Sequence, residues 1–383
     1  MPLSRVQPQD YATLLAAKVA TVCELMTPFS APEPEVYASP PVGFRLRAEF
    51  RLWHDDDNIN YVMFRREDPR TPVVVNDFII ADDRIQYLMP LLRAKLIAHS
   101  ILRHKIFQVE FLVSLSGDVT LTLIYHRKLD QAWENAAQQL ATALQADSKP
   151  VSVIGRSRKQ KRVIGSDFVR EVLPILGTDY HYRQYEQSFS QPNGQVNIRM
   201  IEWACKHAAA MSGDLLELYC GNGNFTLPLA RYFDHIIATE LSKVSIRAAR
   251  ANLEENSINN VQVVRLSAEE MTQAMNNERP FRRLADMPKP LSEFDLGTLF
   301  VDPPRAGLDE QTVSMASRFD RIFYISCNPQ TLVQNLQSLC SSHHIKQFAL
   351  FDQFPYTDHM ECGVLLQKNS PRGPASNSER RNR

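Results

Sequence analysis

The sequence predicts an α/β chain in two parts: an N-terminal α+β half with an antiparallel sheet, and a second half built on a doubly wound, mostly parallel sheet. Three observations carry this. Residues 44–52 (Phe-Arg-Leu-Arg-Ala-Glu-Phe-Arg-Leu) alternate apolar and charged side chains strictly, the period of a half-solvated strand. After Gln191-Pro192-Asn193 the pattern changes to apolar runs separated by helix-length segments, which argues for parallel pairing. A glycine turn, Gly221-Asn222-Gly223, then stands directly between the first of these runs and a helix.

Residues 11–26 have the composition of an amphipathic helix, and five prolines between positions 28 and 41 interrupt it. The 44–52 strand is expected to carry Arg45, Arg47 and Arg51 on its solvent face, and the turn at 55–58 (Asp-Asp-Asp-Asn) returns the chain into a second strand over 59–65. Residues 84–103 read as helix, 105–114 and 119–127 as a hairpin around Ser116-Gly117-Asp118, and 130–147 as helix. The basic stretch at 156–162 (Arg-Ser-Arg-Lys-Gln-Lys-Arg) lies between two strand-like runs and is open to two readings, a solvated loop or a phosphate contact, which needs no particular base.

Seven strands are expected in the second half, near residues 215–219, 235–239, 261–265, 296–301, 321–326, 346–351 and 362–366. Helix-length segments separate the first five, with a charged, proline-bearing insert at 276–292, whereas a loop at 352–360 joins the last two. The expected division is an N-terminal domain over 1–178, an α/β domain over 179–368 and a disordered tail over 369–383.

Lys+Arg and Asp+Glu both total 43 in the 383 residues, so no global charge declares a polyanionic partner and any such site is local, as the run of Arg45, Arg47, Arg51, Arg65 and Arg66 suggests. The six cysteines include no C-x-x-C pair and the opening Met-Pro-Leu-Ser-Arg has no apolar signal core behind it. With no apolar run expected to reach the ~20 residues of a bilayer span, this reads as a reduced, cytoplasmic protein without a disulfide frame or a Cys-ligated metal.

The chemistry-bearing motifs sit at strand ends. Ser326-Cys327-Asn328-Pro329 closes the apolar run at 321–325, placing one thiol where a buried strand emerges into a loop, and Glu361 opens the final strand behind His359 and Met360. A helix starting at Asn328 is positioned to lower the Cys327 pKa through its dipole. The glycine turn lets backbone approach a ligand closely. Glu240 ends the second strand roughly 20 residues further on, the spacing at which an acidic residue accepts hydrogen bonds from ribose hydroxyls. Thr226 stands where a dinucleotide fingerprint needs its third glycine, which disfavours a pyrophosphate-binding dehydrogenase. Asp302-Pro303-Pro304-Arg305 ends the fourth strand with a stiffened turn that fixes a carboxylate at the sheet's carboxyl edge.

These motifs, in this order from Ser188 to Leu366, resemble the S-adenosylmethionine-dependent RNA uracil-5 methyltransferases. The resemblance rests on Ser188-Phe-Ser-Gln191-Pro-Asn193, Tyr219-Cys-Gly-Asn-Gly-Asn224, Asp302-Pro-Pro-Arg305, Ser326-Cys-Asn-Pro329 and His359-Met-Glu361-Cys362. It implies a Rossmann-like class I methyltransferase sheet whose last strand is antiparallel, with an N-terminal α+β RNA-binding domain. By the resemblance Gln191, Tyr219, Asn224, Glu240 and Asp302 would contact S-adenosyl-L-methionine, Cys327 would be the nucleophile and Glu361 the base. The likeness is strongest to the branch that makes ribothymidine at uridine-54 of the tRNA T loop, so the expected partner is the tRNA T arm, with tRNA-like domains of other RNAs as further candidates. Arg51, Phe107 and His126, on expected strands, are candidates for stacking a splayed base.

The chemistry independently needs these groups: carbon 5 of uracil is too weak a nucleophile unaided, and a thiolate adding at carbon 6 makes it reactive. Many ribosomal-RNA members carry an N-terminal cysteine cluster for an iron-sulfur centre; here Cys23 is the only cysteine before Cys205, so neither that cluster nor another metal is expected. Four rivals remain: a ribosomal-RNA uracil methyltransferase, an RNA cytosine-5 methyltransferase, an amino methyltransferase, and a tRNA-folding module with secondary methylation. The cytosine enzymes resemble a pattern with Pro-Cys where this chain has Pro303-Pro304-Arg305, and the amino methyltransferases one with an aromatic at Arg305.

Overall fold

The computed structural model describes residues 6–65, 67–145 and 149–370. The chain begins in helix α1 (Tyr11–Met26) and a short strand β1 (Glu35–Tyr37). It then builds a first sheet from β2 (Arg47–Asp55), β3 (Asn58–Phe64), β4 (Pro72–Val74), β5 (Ile106–Val113), β6 (Val119–Tyr125), β7 (Val151–Ser157) and β8 (Gln160–Ile164), in the spatial order β4-β3-β2-β5-β6-β7-β8. Helices α2 (Asp83–Ala98), α3 (Ser100–Arg103) and α4 (Gln131–Leu144) are interleaved with these strands. In β2, Ala48, Phe50 and Leu52 alternate inward and join Leu88, Leu92, Phe111 and Trp133 in one core, so a single face of this strand is covered. Helices α2 and α4 start where the side chains of Asp82 and Asp130 accept from the free amides of Arg84 and Trp133.

Two expectations change here. The sheet is mixed rather than antiparallel, because α4 is a crossover that returns β7 parallel to β6. The basic stretch at 156–162 is the β7–β8 hairpin rather than a loop, and three of its cations are paired: Arg156 with the buried Glu186, Lys161 2.8 Å from Asp167, and Arg162 2.9 Å from Glu134.

A hairpin of β9 (Phe168–Ile175) and β10 (Thr178–Tyr185) follows, and the expected boundary at 178 falls inside it. The hairpin joins the two halves. On one side the amides of Arg170 and Val172 donate to Asp118 and Ser116 in the β5–β6 turn. On the other, the amides of His181 and Arg183 donate to the side-chain oxygens of Asn256 and Asn252.

The second sheet contains α5 (Gly194–Ala208), β11 (Asp214–Leu218), α6 (Thr226–Leu229), β12 (Ile236–Thr239), α7 (Lys243–Glu255), β13 (Val261–Val264), α8 (Ala268–Met275), β14 (Leu296–Val301), α9 (Glu310–Ala316), β15 (Arg321–Ser326), α10 (Pro329–Leu339), β16 (His343–Phe351) and β17 (Glu361–Lys368). Its order is β1-β16-β17-β15-β14-β11-β12-β13, parallel throughout except for β17, which lies antiparallel between β15 and β16. Strands β11, β12 and β17 are buried on both faces over most of their length, the signature of a sheet covered by helices on two sides.

The proline-rich segment hides β1, a three-residue edge strand that pairs Glu35, Val36 and Tyr37 with Ala349, Leu350 and Phe351. Helix α1 also belongs to the second sheet, since Val22 and Met26 share a core with Leu332, Leu336 and Met360. The 22-residue helical segment Pro8–Phe29 is long and apolar enough to cross a membrane by length and composition, which the sequence reading did not anticipate. In the fold its Lys18 ammonium pairs with the buried carboxylate of Asp352. The expected tail lies outside the described residues from 371 onward.

Glu171 of β9 is buried at the junction of the two halves, where one carboxyl oxygen accepts from the Leu115 amide at 3.1 Å and the other has no partner. Burial raises its pKa from 4.5 to about 8. A group raised in the fold contributes stability fully below its unfolded pKa, and that contribution is lost as pH rises through the folded value, because only the unfolded chain ionises in between. Glu171→Gln should therefore gain on the parent by about 2–4 °C more in melting temperature at pH 8 than at pH 5, and thermal melts giving the same difference at both pH values would show that the site does not hold a neutral carboxyl.

Candidate active site

The residues singled out from the sequence converge on the carboxyl edge of the second sheet, where the chain runs from β11 outward to β13 and then returns to β14 on the other side of β11. Ligands enter open α/β sheets at this reversal. Tyr219, just past β11, adopts a left-handed φ of 62°, and Gly221 follows at 58°. A non-glycine residue held there is strained by its Cβ. A Cβ built on Gly221 would meet nothing within 4 Å, so its backbone faces open space, whereas one on Gly223 would meet Leu227 at 2.5 Å.

Glu240 fastens this turn. One carboxylate oxygen accepts from the Gly221 amide at 3.1 Å, and the other from the amides of Leu241 and Ser242 at 2.7 Å each. Asn224 points its side chain at Asn197 of α5, and the two amides exchange hydrogen bonds of 2.9 Å in both directions. Its carboxamide thus ties α5 to the glycine turn. The Gln191 carbonyl oxygen Oε1 is buried with no partner. Asp302, at the end of β14, receives no hydrogen bond from any described residue, and burial pushes its pKa to about 7. An unpartnered carboxylate and an open glycine backbone at the carboxyl ends of the adjacent strands β14 and β11 are what a nucleoside-bearing ligand with several donors requires.

Cys327 and Glu361 are set by strand pairing. Strands β15 and β17 pair from Arg321↔Gln367 to Ser326↔Cys362, and one further step of that register puts Cys327 opposite Glu361. Directly opposed residues have Cβ atoms about 4.5–5.5 Å apart on the same face. The loop carrying the thiol is built locally: Asn328 caps α10 by accepting from the Gln330 amide at 3.2 Å, Pro329 fills the first helical turn, and the Asn328 and Thr331 side chains donate to the Arg305 carbonyl at 3.0 and 3.2 Å. The Asp302-Pro-Pro-Arg turn and the cysteine loop are thereby one unit.

Electrostatically the site is crowded with acids. Burial first, then the charges of Glu361 and Asp302, push the Cys327 thiol up to about 11 against the lowering effect of Arg305. The depressed thiol expected from the helix dipole is not found: desolvation and two carboxyls outweigh one helix terminus. Glu361 is buried, and burial with Asp302 beside it holds its pKa well above the usual carboxyl range. Sequence reasoning missed Glu217, fully buried in β11, whose pKa is raised to about 8 by burial and by Asp302 and whose Oε2 has no partner. An acidic residue inside Leu215-Leu-Glu-Leu218 was the available signal.

Away from this crevice, the first sheet gathers the three RNA candidates. The Arg51 guanidinium lies 5.2 Å from the Phe107 ring centre, and Phe107 stacks on His126 at 3.8 Å with planes 12° apart. Arg45 and Arg47 do not share this exposure. Both are half-buried where β2 meets the second half, with Arg45 donating to the Arg47 carbonyl and Arg47 to the Ser188 carbonyl at 2.9 Å.

Sheet order, antiparallel β17 and crevice together define a class I, S-adenosylmethionine-dependent methyltransferase. Residues 10–369 match the family described as tRNA (Uracil-5-)-methyltransferase, and the chain belongs to that family. It is 54% identical over 361 residues to the tRNA/tmRNA (uracil-C(5))-methyltransferase of Ectopseudomonas mendocina (strain ymp), covering 94% of this chain and 98% of that one. It is 50% identical over 375 residues to the protein of the same name from Aromatoleum aromaticum, covering 98% and 100%. Among solved structures its fold is similar to the Pyrococcus abyssi tRNA (uracil-54, C5)-methyltransferase in complex with S-adenosyl-L-homocysteine, with a TM-score of 0.71 and 20% identity, covering 93% of this chain and 83% of that one.

Below a pKa of about 11 the Cys327 thiolate fraction rises tenfold per pH unit. Alkylation of Cys327 by iodoacetamide in the RNA-free protein, followed by peptide mass mapping, should therefore climb about tenfold per unit between pH 7 and 9 without a plateau; a plateau below pH 8 would contradict the acidic, desolvated site described here.

Proposed function

We propose that this enzyme methylates carbon 5 of uridine-54 in the tRNA T loop through a covalent adduct on Cys327. The observation that carries the reading is the opposition of Cys327 and Glu361 across β15 and β17, beside Asp302. Cys327 loses its proton to solvent and bonds through sulfur to carbon 6, moving the electron pair of the 5,6 double bond toward the oxygen on carbon 4. This makes carbon 5 nucleophilic. S-adenosylmethionine, when bound, supplies an electrophilic methyl group. After methylation Glu361 takes the proton from carbon 5, and the returning pair restores the double bond as the sulfur–carbon 6 bond breaks. The burial that raises the Glu361 pKa also makes its carboxylate a stronger base, and general-base help of this kind is worth ~10²–10⁴-fold.

For the cofactor, Glu240 is assigned to the ribose hydroxyls, with Gly221 and Tyr219 beside it, while Gln191 and Asp302 offer unpartnered acceptors to donors of the ligand. Asn224 acts by bracing the turn through Asn197. Arg51, Phe107 and His126 form the stack on which an unpaired RNA base rests. Names of the relatives include tmRNA, and a T-loop reader is compatible with any RNA that presents the same loop. Those names favour tRNA over the ribosomal-RNA alternative.

Glu240→Ala removes the proposed ribose acceptor; a hydrogen bond to a charged group is worth roughly 1.5–3 kcal/mol, so calorimetry should show cofactor affinity falling by about one to two orders of magnitude. An unchanged dissociation constant would take Glu240 out of the site. Glu361→Gln should add to uracil and methylate it but stall before proton loss. With a T-arm stem-loop it should give a slow-migrating protein–RNA band on a denaturing gel, whereas Cys327→Ala gives neither band nor 5-methyluridine. Turnover by Cys327→Ala near the parental rate would defeat the mechanism, and methylation of ribosomal RNA alone would defeat the substrate.

A further inference from the structure

Strand β2 starts at the junction with the second half, where the Leu46 amide donates to the Pro192 carbonyl. Its open face presents Arg47, Glu49, Arg51 and Trp53 in succession, while Ala48, Phe50 and Leu52 point into the core. Arg47 is fastened to the Ser188 carbonyl, close in sequence to Gln191, and Arg51 lies over the Phe107–His126 stack. Trp53 comes next on this face and is 47% exposed, its indole making no ring contact or hydrogen bond among the described residues. The other two tryptophans of the chain, Trp133 and Trp203, are 0% and 1% exposed. In the register Trp53 stands opposite Asn60 and Arg51 opposite Val62, and further across the sheet Val74, paired with Val62, is also exposed.

An exposed indole continuous with a cationic–aromatic stack calls for an occupant with a flat face of its own. Residues two apart on a strand are about 6.8 Å apart, twice the 3.4 Å rise of stacked bases, so one single strand can reach both surfaces. The turn beyond Trp53 carries Asp55, Asp56 and Asp57, all exposed, which repel phosphate. A base fits against the indole, but the backbone has to turn away there.

We propose that Trp53 is a second stacking surface for the RNA, taking an unpaired base next to the one held by Arg51, Phe107 and His126, and marking the outer end of the RNA track. The inference rests on the reading of that trio as the RNA stack. Because Trp53 is exposed, its replacement leaves the core intact, which thermal melts check directly.

The test titrates a T-arm stem-loop into the parent, Trp53→Phe and Trp53→Ala proteins. In the parent, RNA should quench the tryptophan emission and shield it from acrylamide, and both changes should vanish in Trp53→Phe, whose remaining indoles are buried. Trp53→Ala should weaken binding roughly 5- to 100-fold, the range for one lost base stack, with Trp53→Phe close to the parent and the turnover number at saturating RNA unchanged in both. If the parent binds and methylates the stem-loop while its indole stays open to acrylamide and Trp53→Ala binds as tightly, the inference fails and the proposed function stands. If the parent neither binds nor methylates the stem-loop, the proposed function itself has failed, and the inference with it.

Discussion

The catalytic end of this protein depends on one pairing choice: β17 enters the sheet antiparallel, between β15 and β16. Two parallel strands would bring the ends of both chains to the crevice with their side chains on independent loops. The antiparallel insertion instead brings the start of β17 against the end of β15, so a thiol and a carboxyl far apart in sequence are opposed by hydrogen-bond register. Such a register is unforgiving, because a shift of one residue turns every side chain to the opposite face. Packing pins it: a Cβ on Gly363 would come within 3.0 Å of Phe351 and 3.1 Å of Trp203, so β17 is seated against its neighbours with no room to slide.

A second constraint holds the two halves in one frame. Asn193 is completely buried; its side chain accepts from the Val196 amide to start α5 and donates to Ser39 at 2.7 Å, while its amide donates to Gln353 at 3.1 Å. The amide of Leu46, just before β2, donates to the neighbouring Pro192 carbonyl. The strand presenting the RNA stack, the helix behind the cofactor turn and the loop leading to Glu361 therefore meet at the dipeptide Pro192-Asn193. Substrate-reading and reacting groups are then positioned with respect to each other by buried hydrogen bonds, which are costly to break.

The second sheet was legible because three of its strands are apolar runs that end in a chemically distinctive residue, Glu240, Asp302 or Cys327. Motif placement did the rest, since glycine turn, acid, Pro-Pro turn and cysteine each follow the carboxyl end of a parallel strand and so share one edge of the sheet. What stayed hidden was non-local. A three-residue strand among prolines, β1, has no period to detect, and α1 declares an apolar face without saying which sheet receives it. The alternation of β2 identified its two faces, yet could not reveal that Arg45 and Arg47 sit beneath the other half while Arg51 stays in solvent. Nor does a sequence disclose net electrostatics: the helix start at Asn328 was readable, but the carboxyls that outweigh it come from β14 and β17.

The seating of α1 and β1 has a consequence for how the chain is made. Tyr11 and Lys18 both engage Asp352, and β1 pairs with β16, so residues synthesised first find their partners only near the end. Contacts of such long sequence separation form late, after the entropy of closing the loop has been overcome. Until then the apolar side of α1 and the edge of β16 lack their covers, and nascent chains in that state are the ones exposed to wrong association. The loop bearing Asp352, which leads directly into Glu361, is anchored by the same contacts. Completion of the catalytic crevice therefore coincides with the closing of the fold, and a partly folded chain that already holds the glycine turn does not yet hold its base in place.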